Sequence, residues 1–312
     1  MRMLVTGGAG FIGSHVVDRL VKLGHEVVVL DNLLTGSKDN INPKAIFYEL
    51  DITDLGALEK IFKEYNLDYV FHLAAGYLVQ SLENPQRDAA INIIGTINLC
   101  ELCVKYNIKK IIYSNSGGAS YGEPEKMPIT ETHSIHPLTP YGASKYTGEM
   151  YLYLYNKSYG LNYTSLRYAN IYGPRQNPKL EGGVISIFVD KLLEDKPPTI
   201  FGDGTITRDF CYVDDVVDAN ILAMEKGKPE GYNVGTGIET NIKNLFEVIK
   251  NAVNSNLEPI YGPPRQGDCK RSVFDISKIK KDLGWEPKTS IDKGIKKTIN
   301  WVKEFQNNSQ IN

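Results

Sequence analysis

Val5-Thr6-Gly7-Gly8-Ala9-Gly10-Phe11-Ile12-Gly13-Ser14 is the stretch that decides the fold of this 312-residue chain. Met3 to Thr6 reads as a short buried strand. The turn after it carries Gly7, Gly8, Gly10 and Gly13, and the run Phe11 to Leu23 puts Ile12, Val16, Leu20 and Leu23 on one helical face. A strand, a glycine turn and a helix in that order leave free backbone N–H groups at a helix N-terminus, which suits a pyrophosphate. The glycines allow a tight turn, close backbone approach to phosphate and close packing of helix on strand. Their spacing is Gly7-x-x-Gly10-x-x-Gly13 rather than the commoner G-x-G-x-x-G.

A second apolar strand, Glu26 to Leu30, closes at Asp31, about twenty positions beyond the loop, where a carboxylate bonds the adenine-ribose hydroxyls of a dinucleotide. Asn32 and Leu33 follow, with no arginine to receive a 2′-phosphate, so NAD is expected over NADP. Strands and helices then alternate. Ala45–Leu50, Tyr69–His72 and Lys110–Ser114 read as strands. Leu55, Leu58, Ile61 and Phe62 mark one helix, and Ala89–Tyr106 reads as another, long one. This alternation predicts an α/β fold, a doubly wound parallel sheet of Rossmann type with helices on both faces. In such a sheet the ligand sits beyond the C-terminal strand ends. The residues there are the glycine loop, Asp31, Asp51-Ile52, His72-Leu73-Ala74-Ala75 and Ser114-Asn115-Ser116.

Composition removes several classes of function. A net charge of −2 gives no electrostatic case for nucleic acid or anionic membrane as a partner. No apolar run approaches a bilayer span, and the chain opens directly in a strand, so no signal peptide and a cytoplasmic location are expected. Cys100, Cys103, Cys211 and Cys269 show no disulfide-like pattern. The Cys100-x-x-Cys103 pair lies inside a helical run with no second pair nearby, so it reads as buried helix cysteines. The five histidines lack metal-ligand spacing, and no metal is expected.

After the fifth strand come a glycine-rich segment, Ser116 to Tyr121, and a proline-rich loop ending in Tyr141-Gly142-Ala143-Ser144-Lys145, which opens a helix to about Tyr159. Tyr141 and Lys145, four apart, share one helical face. A phenol with pKa near 10 is a poor base until cations favour its phenolate. Bringing it to neutrality means about three units, or ~4 kcal/mol. The Lys145 ammonium and a positive nicotinamide together supply that. Beyond Arg167 the alternation loosens and Pro174, Pro178, Pro197 and Pro198 gather, marking a second, smaller α/β domain.

These residues carry a resemblance. TGGAGFIGSHVVD, DNLLTG, HLAA, ENPQRDAAINIIGT, YGASK, LRYANIYGPRQNP, IFGDGTITRDFCYVDDVVDA, YNVGTG and RQGD with LGWEP follow in order over nearly the whole chain. The chain resembles the extended short-chain dehydrogenases/reductases, and within them the nucleotide-sugar epimerases of the UDP-glucose 4-epimerase type. The resemblance implies NAD held by Gly7, Gly10, Phe11, Ile12, Gly13, Asp31, Asn32, Asp51, Ile52, Leu73, Ala74, Ala75, Tyr141, Lys145 and Tyr168. It implies a Ser/Thr–Tyr–Lys triad in which Tyr141 and Lys145 map directly and Ser116 is preferred to Ser114. The loop here is one residue longer than the family pattern, and the stretch from Ala75 to Ser81 is one residue shorter. Dehydratases and decarboxylases of this group place an acid directly after the Ser/Thr; Gly117 and Gly118 stand there here. That leaves reversible oxidation at one carbon.

For the substrate, a nucleotide-diphosphate sugar and most readily a UDP-hexose, the resemblance implies Ser116, Tyr141, Asn170, Val184, Phe201, Arg208, Arg265 and Asp268. Ser272, four beyond Asp268, would gate the sugar pocket, its small side chain leaving room for an N-acetyl group. A nucleotide-binding domain over 1–169, revisited around 211–236, and a sugar-nucleotide domain over 170–312 are expected. So is a two-fold dimer built on helices Ala89–Tyr106 and Tyr141–Tyr159, with Tyr146, Tyr151, Tyr153, Leu154 and Tyr155 as surplus apolar side chains. The alternatives on this scaffold are a nucleotide-4-keto-sugar reductase or dehydrogenase and a non-catalytic NAD-binding regulator.

Overall fold

The computed structural model describes residues 1–179, 183–265 and 269–309. Its first half alternates: β1 (Arg2–Thr6), α1 (Phe11–Lys22), β2 (Glu26–Asp31), β3 (Ile46–Glu49), α2 (Leu55–Glu64), β4 (Tyr69–His72), α3 (Leu78–Glu83), α4 (Pro85–Ala89), α5 (Gly95–Lys105), β5 (Lys110–Ser116), the single turn α6 (Gly117–Ser120), α7 (Pro140–Tyr159) and β6 (Tyr163–Tyr168). The second half holds β7 (Asn170–Tyr172), α8 (Val184–Leu193), β8 (Thr199–Phe201), β9 (Thr207–Tyr212), α9 (Val213–Lys226), β10 (Gly231–Val234), β11 (Glu239–Asn241), α10 (Ile242–Val253), β12 (Ile260–Gly262), α11 (Ser277–Leu283) and α12 (Ile291–Ser309).

Seven strands form one parallel sheet in the order β10-β6-β5-β4-β1-β2-β3. Each central strand is apolar at successive positions because both faces are covered. Val5, Val29, Phe71 and Ile112 point to the face covered by α1 and α9, where Val16, Leu20, Val216 and Val217 meet them. Leu4, Val28, Val70 and Ile111 point the other way, onto Leu58 and Phe62 of α2, Leu99 of α5 and Leu152 of α7. Each such fully buried aliphatic side chain stabilises the fold by about 1.5–3 kcal/mol. A third core gathers Phe188 and Val189 of α8, Phe246 and Ile249 of α10 and Ile295 and Ile299 of α12.

Two sequence expectations need correction. The run Ala89–Tyr106 is not one α-helix: a π-turn over Ala90–Ile94 separates α4 from α5. The apolar repeat runs on through an inserted residue, so periodicity alone does not reveal it. The fifth strand also continues two residues further, to Ser116, because Asn115 and Ser116 keep pairing with Arg167 and Tyr168. All four cysteines are free and buried, and burial pushes the Cys100 and Cys103 thiols up. Among the described residues no group of His, Cys, Asp and Glu is placed to hold a metal, and no helix is long and apolar enough to cross a membrane.

Candidate active site

One cleft opens along the C-terminal edge of the sheet, and the glycine turn forms one wall of it. Gly7 sits at φ 70°, and a Cβ there would stand 2.6 Å from the Ala74 amide, so the turn presses against the end of β4. Asp31 ends β2 at 8% exposure, and its carboxylate accepts the N–H groups of Ala9 (3.0 Å) and Leu33 (2.8 Å). Burial pushes this carboxyl up and the backbone donors pull against that. Asp51 behaves differently. Burial would raise it, but Thr53, Asn32 and Arg87 all donate to it and bring it down to about 2. Gly10, Phe11, Ile12, Gly13, Asn32, Ile52, Leu73, Ala74, Ala75 and Tyr168 complete this part of the lining.

The other wall is α7. Thr139 caps it by accepting the Gly142 N–H at 3.2 Å, Pro140 starts it, and Tyr141 follows in the first turn, half-buried and facing the cleft with Ser114, Asn115 and Ser116. Tyr113 of β5 donates its hydroxyl to the Lys145 carbonyl at 2.9 Å, which fixes the helix against the sheet. Lys145 is 2% exposed. Its Nζ lies 4.4 Å from the centre of the Tyr113 ring and has no hydrogen-bond partner among the described residues. Burial lowers its ammonium to about 7, opposed by the charge of Asp88. The two serines part company here. The Ser114 hydroxyl donates to the His72 carbonyl at 3.2 Å, while Ser116 is held through its backbone N–H, 2.7 Å from Asn115 Oδ1. A Cβ on Gly117 would meet the Phe274 ring at 2.7 Å, so the position after Ser116 has no room for an acidic side chain.

The remaining expected residues that the structure describes lie outside the cleft lining. Asn170 begins β7 beside Gly118, whose Cβ would be 3.7 Å from the Asn170 amide oxygen. Val184 begins α8, and Arg208 sits on β9 opposite Thr240. Phe201 ends β8 with the Arg265 guanidinium stacked 3.9 Å from its ring centre. Ser272 is buried at 4% exposure, and Asp268 lies outside the described residues. Sequence reasoning passed over Ile91 and Gln176, which also line the cleft, and Arg87, which holds Asp51. None belongs to a strand end, so the strand-end rule had no means of finding them.

These groups fit a dinucleotide. The glycine turn presents backbone at the start of α1, Asp31 stands at the end of β2, and Lys145, in the second turn of α7, holds a buried ammonium with no hydrogen-bond partner among the described residues. Residues 3–235 match the model of the NAD dependent epimerase/dehydratase family. The chain is similar to a putative UDP-glucose 4-epimerase of Methanocaldococcus jannaschii, with 52% identity over 96% of this chain and 98% of that one. Among solved structures it resembles the UDP-glucose 4-epimerase of Thermotoga maritima with UDP-glucose, at 50% identity and a TM-score of 0.97, covering 98% of this chain and all of that one. It also resembles the UDP-glucose 4-epimerase of Thermus thermophilus in complex with NAD, at 41% identity and a TM-score of 0.92, covering 97% and 99% of the two chains.

Proposed function

The chain belongs to the NAD-dependent epimerase/dehydratase family, and on that premise we propose that it is a 4-epimerase interconverting UDP-glucose and UDP-galactose. Bound NAD supplies reversible hydride exchange at the sugar C4, the chemistry by which that carbon loses and regains its configuration. The backbone of Gly7, Gly10, Phe11, Ile12 and Gly13 would hold the pyrophosphate, as a helix N-terminus does. Asp31 takes the adenine ribose, Asn32, Asp51 and Ile52 flank the adenine end, and Leu73, Ala74, Ala75 and Tyr168 line the path to α7. Tyr141 accepts and returns the proton of the C4 hydroxyl, with Ser116 as its relay. Lys145 binds the second ribose and its charge favours the Tyr141 phenolate.

For the substrate, Phe201 stacks the base, Arg208 and Arg265 grip the diphosphate, and Asp268 takes the ribose. Asn170 and Val184 border the sugar. Guanidinium groups match phosphate oxygens in pairs, which supports the arginine roles. The working molecule is a two-fold dimer.

Gly117 carries the choice of epimerisation over dehydration, since the ring of Phe274 leaves no space for a second acid next to Ser116. The test is to incubate the protein as purified, with no added cofactor, with UDP-glucose or UDP-galactose and follow the anomeric protons by NMR. The same mixture of the two sugars is expected from either side. Turnover that demands added reduced cofactor would favour the reductase instead.

A further inference from the structure

Tyr141 and Lys145 are followed, four residues further along the same face of α7, by Glu149. It is 6% exposed, and two N–H groups of Arg167 on β6 meet its carboxylate side-on at 2.5 and 3.1 Å. Arg167 in turn donates to the Tyr121 hydroxyl at 2.9 Å and the Glu131 carbonyl at 3.0 Å, which holds it in place. Burial would raise the Glu149 carboxyl, but Arg167 and the donors Ser165 and Asn115 bring it below its ordinary value, so it is ionised. An ionised carboxylate only accepts hydrogen bonds. The Asn115 side chain of β5, 1% exposed, therefore turns its amide nitrogen to Glu149 Oε2 at 2.6 Å and its oxygen away. That oxygen accepts the Ser116 N–H at 2.7 Å. The Ser120 hydroxyl can donate to the same oxygen at 3.4 Å or to the Gly142 carbonyl of α7 at 3.3 Å.

Ser116 ends β5 and Tyr141 lies in the first turn of α7, so their mutual position depends on what ties strand to helix. Tyr113 makes one tie, at the Lys145 carbonyl. Glu149 and Asn115 make a second, and it runs on to the backbone of Ser116 itself. The turn that follows is docked as closely, for a Cβ on Gly142 would stand 2.2 Å from the Ala119 carbonyl oxygen. We propose that Asn115 is a positioning residue, gripped by the Glu149 carboxylate so that the backbone of Ser116 keeps a fixed register against Tyr141. The use made of that register rests on the epimerase reading above; the grip does not.

Asn115→Leu keeps the size and shape of the side chain and removes both its donor and its acceptor. Deuterium uptake over the segment 114–122, read by mass spectrometry on the protein as purified, should become faster. With UDP-glucose or UDP-galactose, kcat should fall by about tenfold to a hundredfold, the cost of misplacing a reacting group by about 1 Å, while KM and bound NAD stay near wild type. In a Ser116→Ala background the same change should cost about twofold or less, because the group it positions is already gone. Should Asn115→Leu not fold, Asn115→Ser, too short to span from Glu149 to the Ser116 N–H, takes its place. Unchanged uptake would overturn the role of Asn115. So would an unchanged kcat, or equal losses in the two backgrounds, where Ser116→Ala is itself impaired. If Ser116→Ala turns over like wild type, Ser116 leaves the reaction, and the uptake alone decides for or against the grip. The uptake needs no sugar, so it reads Asn115 even if the substrate assignment fails.

Discussion

Replacing Tyr141 by phenylalanine removes one oxygen and leaves the packing of α7 intact. On the proposed chemistry turnover falls by about two orders of magnitude or more, the contribution of a positioned acid–base group, while bound NAD stays with the protein. Turnover and the NAD released on denaturation measure the two halves of that expectation, and near-normal turnover would remove Tyr141 from the reaction. On the same proposal Asp31 carries the cofactor preference. Its carboxylate already binds the Ala9 and Leu33 N–H groups, so it cannot swing away from a 2′-phosphate. Calorimetry on cofactor-stripped protein should give tighter binding of NAD than of NADP; the reverse order would cancel the role of Asp31. At Ser272, Arg271 does not compete for the space, since its guanidinium turns outward to Glu239 at 2.6 Å. Ser272→Tyr is expected to raise the ratio of kcat/KM for UDP-glucose over UDP-N-acetylglucosamine, and an unchanged ratio would rule out Ser272 as the gate. The glycine loop, Asp31 and Ser116 could be placed at one sheet edge from sequence because strand ends in an open α/β sheet share that edge, while Tyr141 was reached through its spacing to Lys145 and the family resemblance. Arg87 and Gln176 could not. Arg87 reaches Asp51 only because of where α4 lies, and Gln176 stands in the loop between β7 and α8, where its amide donates to the Ile171 carbonyl, and no local pattern records either placement.

Among the elements, α7 depends on a close approach. Gly148 faces β5 and the π-turn, and a Cβ there would stand 2.5 Å from the Tyr113 hydroxyl and 3.0 Å from the Asn92 carbonyl oxygen. Gly148→Ala must push the helix off the sheet or displace Tyr113 from Lys145. Overpacking of this kind costs about 1–3 kcal/mol, so Tm should drop by several degrees, and Lys145 would lose its anchorage. A melting curve within a degree of wild type would show that the contact can relax. The sheet itself was legible, because fully apolar runs such as Val27-Val28-Val29-Leu30 are what a strand covered on both faces needs. The π-turn was not, since one added residue leaves the apolar spacing of Ile91, Leu99 and Leu102 still helical to the eye.

For the whole molecule, the outer surfaces of these helices matter next. Met150, Tyr153 and Leu154 of α7 are 46–50% exposed, and Ile94 of the π-turn is 49% exposed. A dimer in which these surfaces pair with their copies about a two-fold axis would cover them. Light scattering at micromolar concentration should report twice the chain mass of 34.9 kDa, and a single chain would refute the dimer. The order of the sheet carries one more consequence, for how the protein is made. β10 pairs with β6 across a long excursion of chain, and it is the last strand to join. While the ribosome adds residues at about 5–20 per second, the backbone of Tyr163–Tyr168 emerges seconds before the segment that will cover it. In that interval it is an unprotected edge, open to pairing with a neighbouring nascent chain. Cutting the gene after residue 169 would make that interval permanent, so the amino-terminal half expressed alone is expected in the insoluble fraction rather than as a stand-alone nucleotide-binding module.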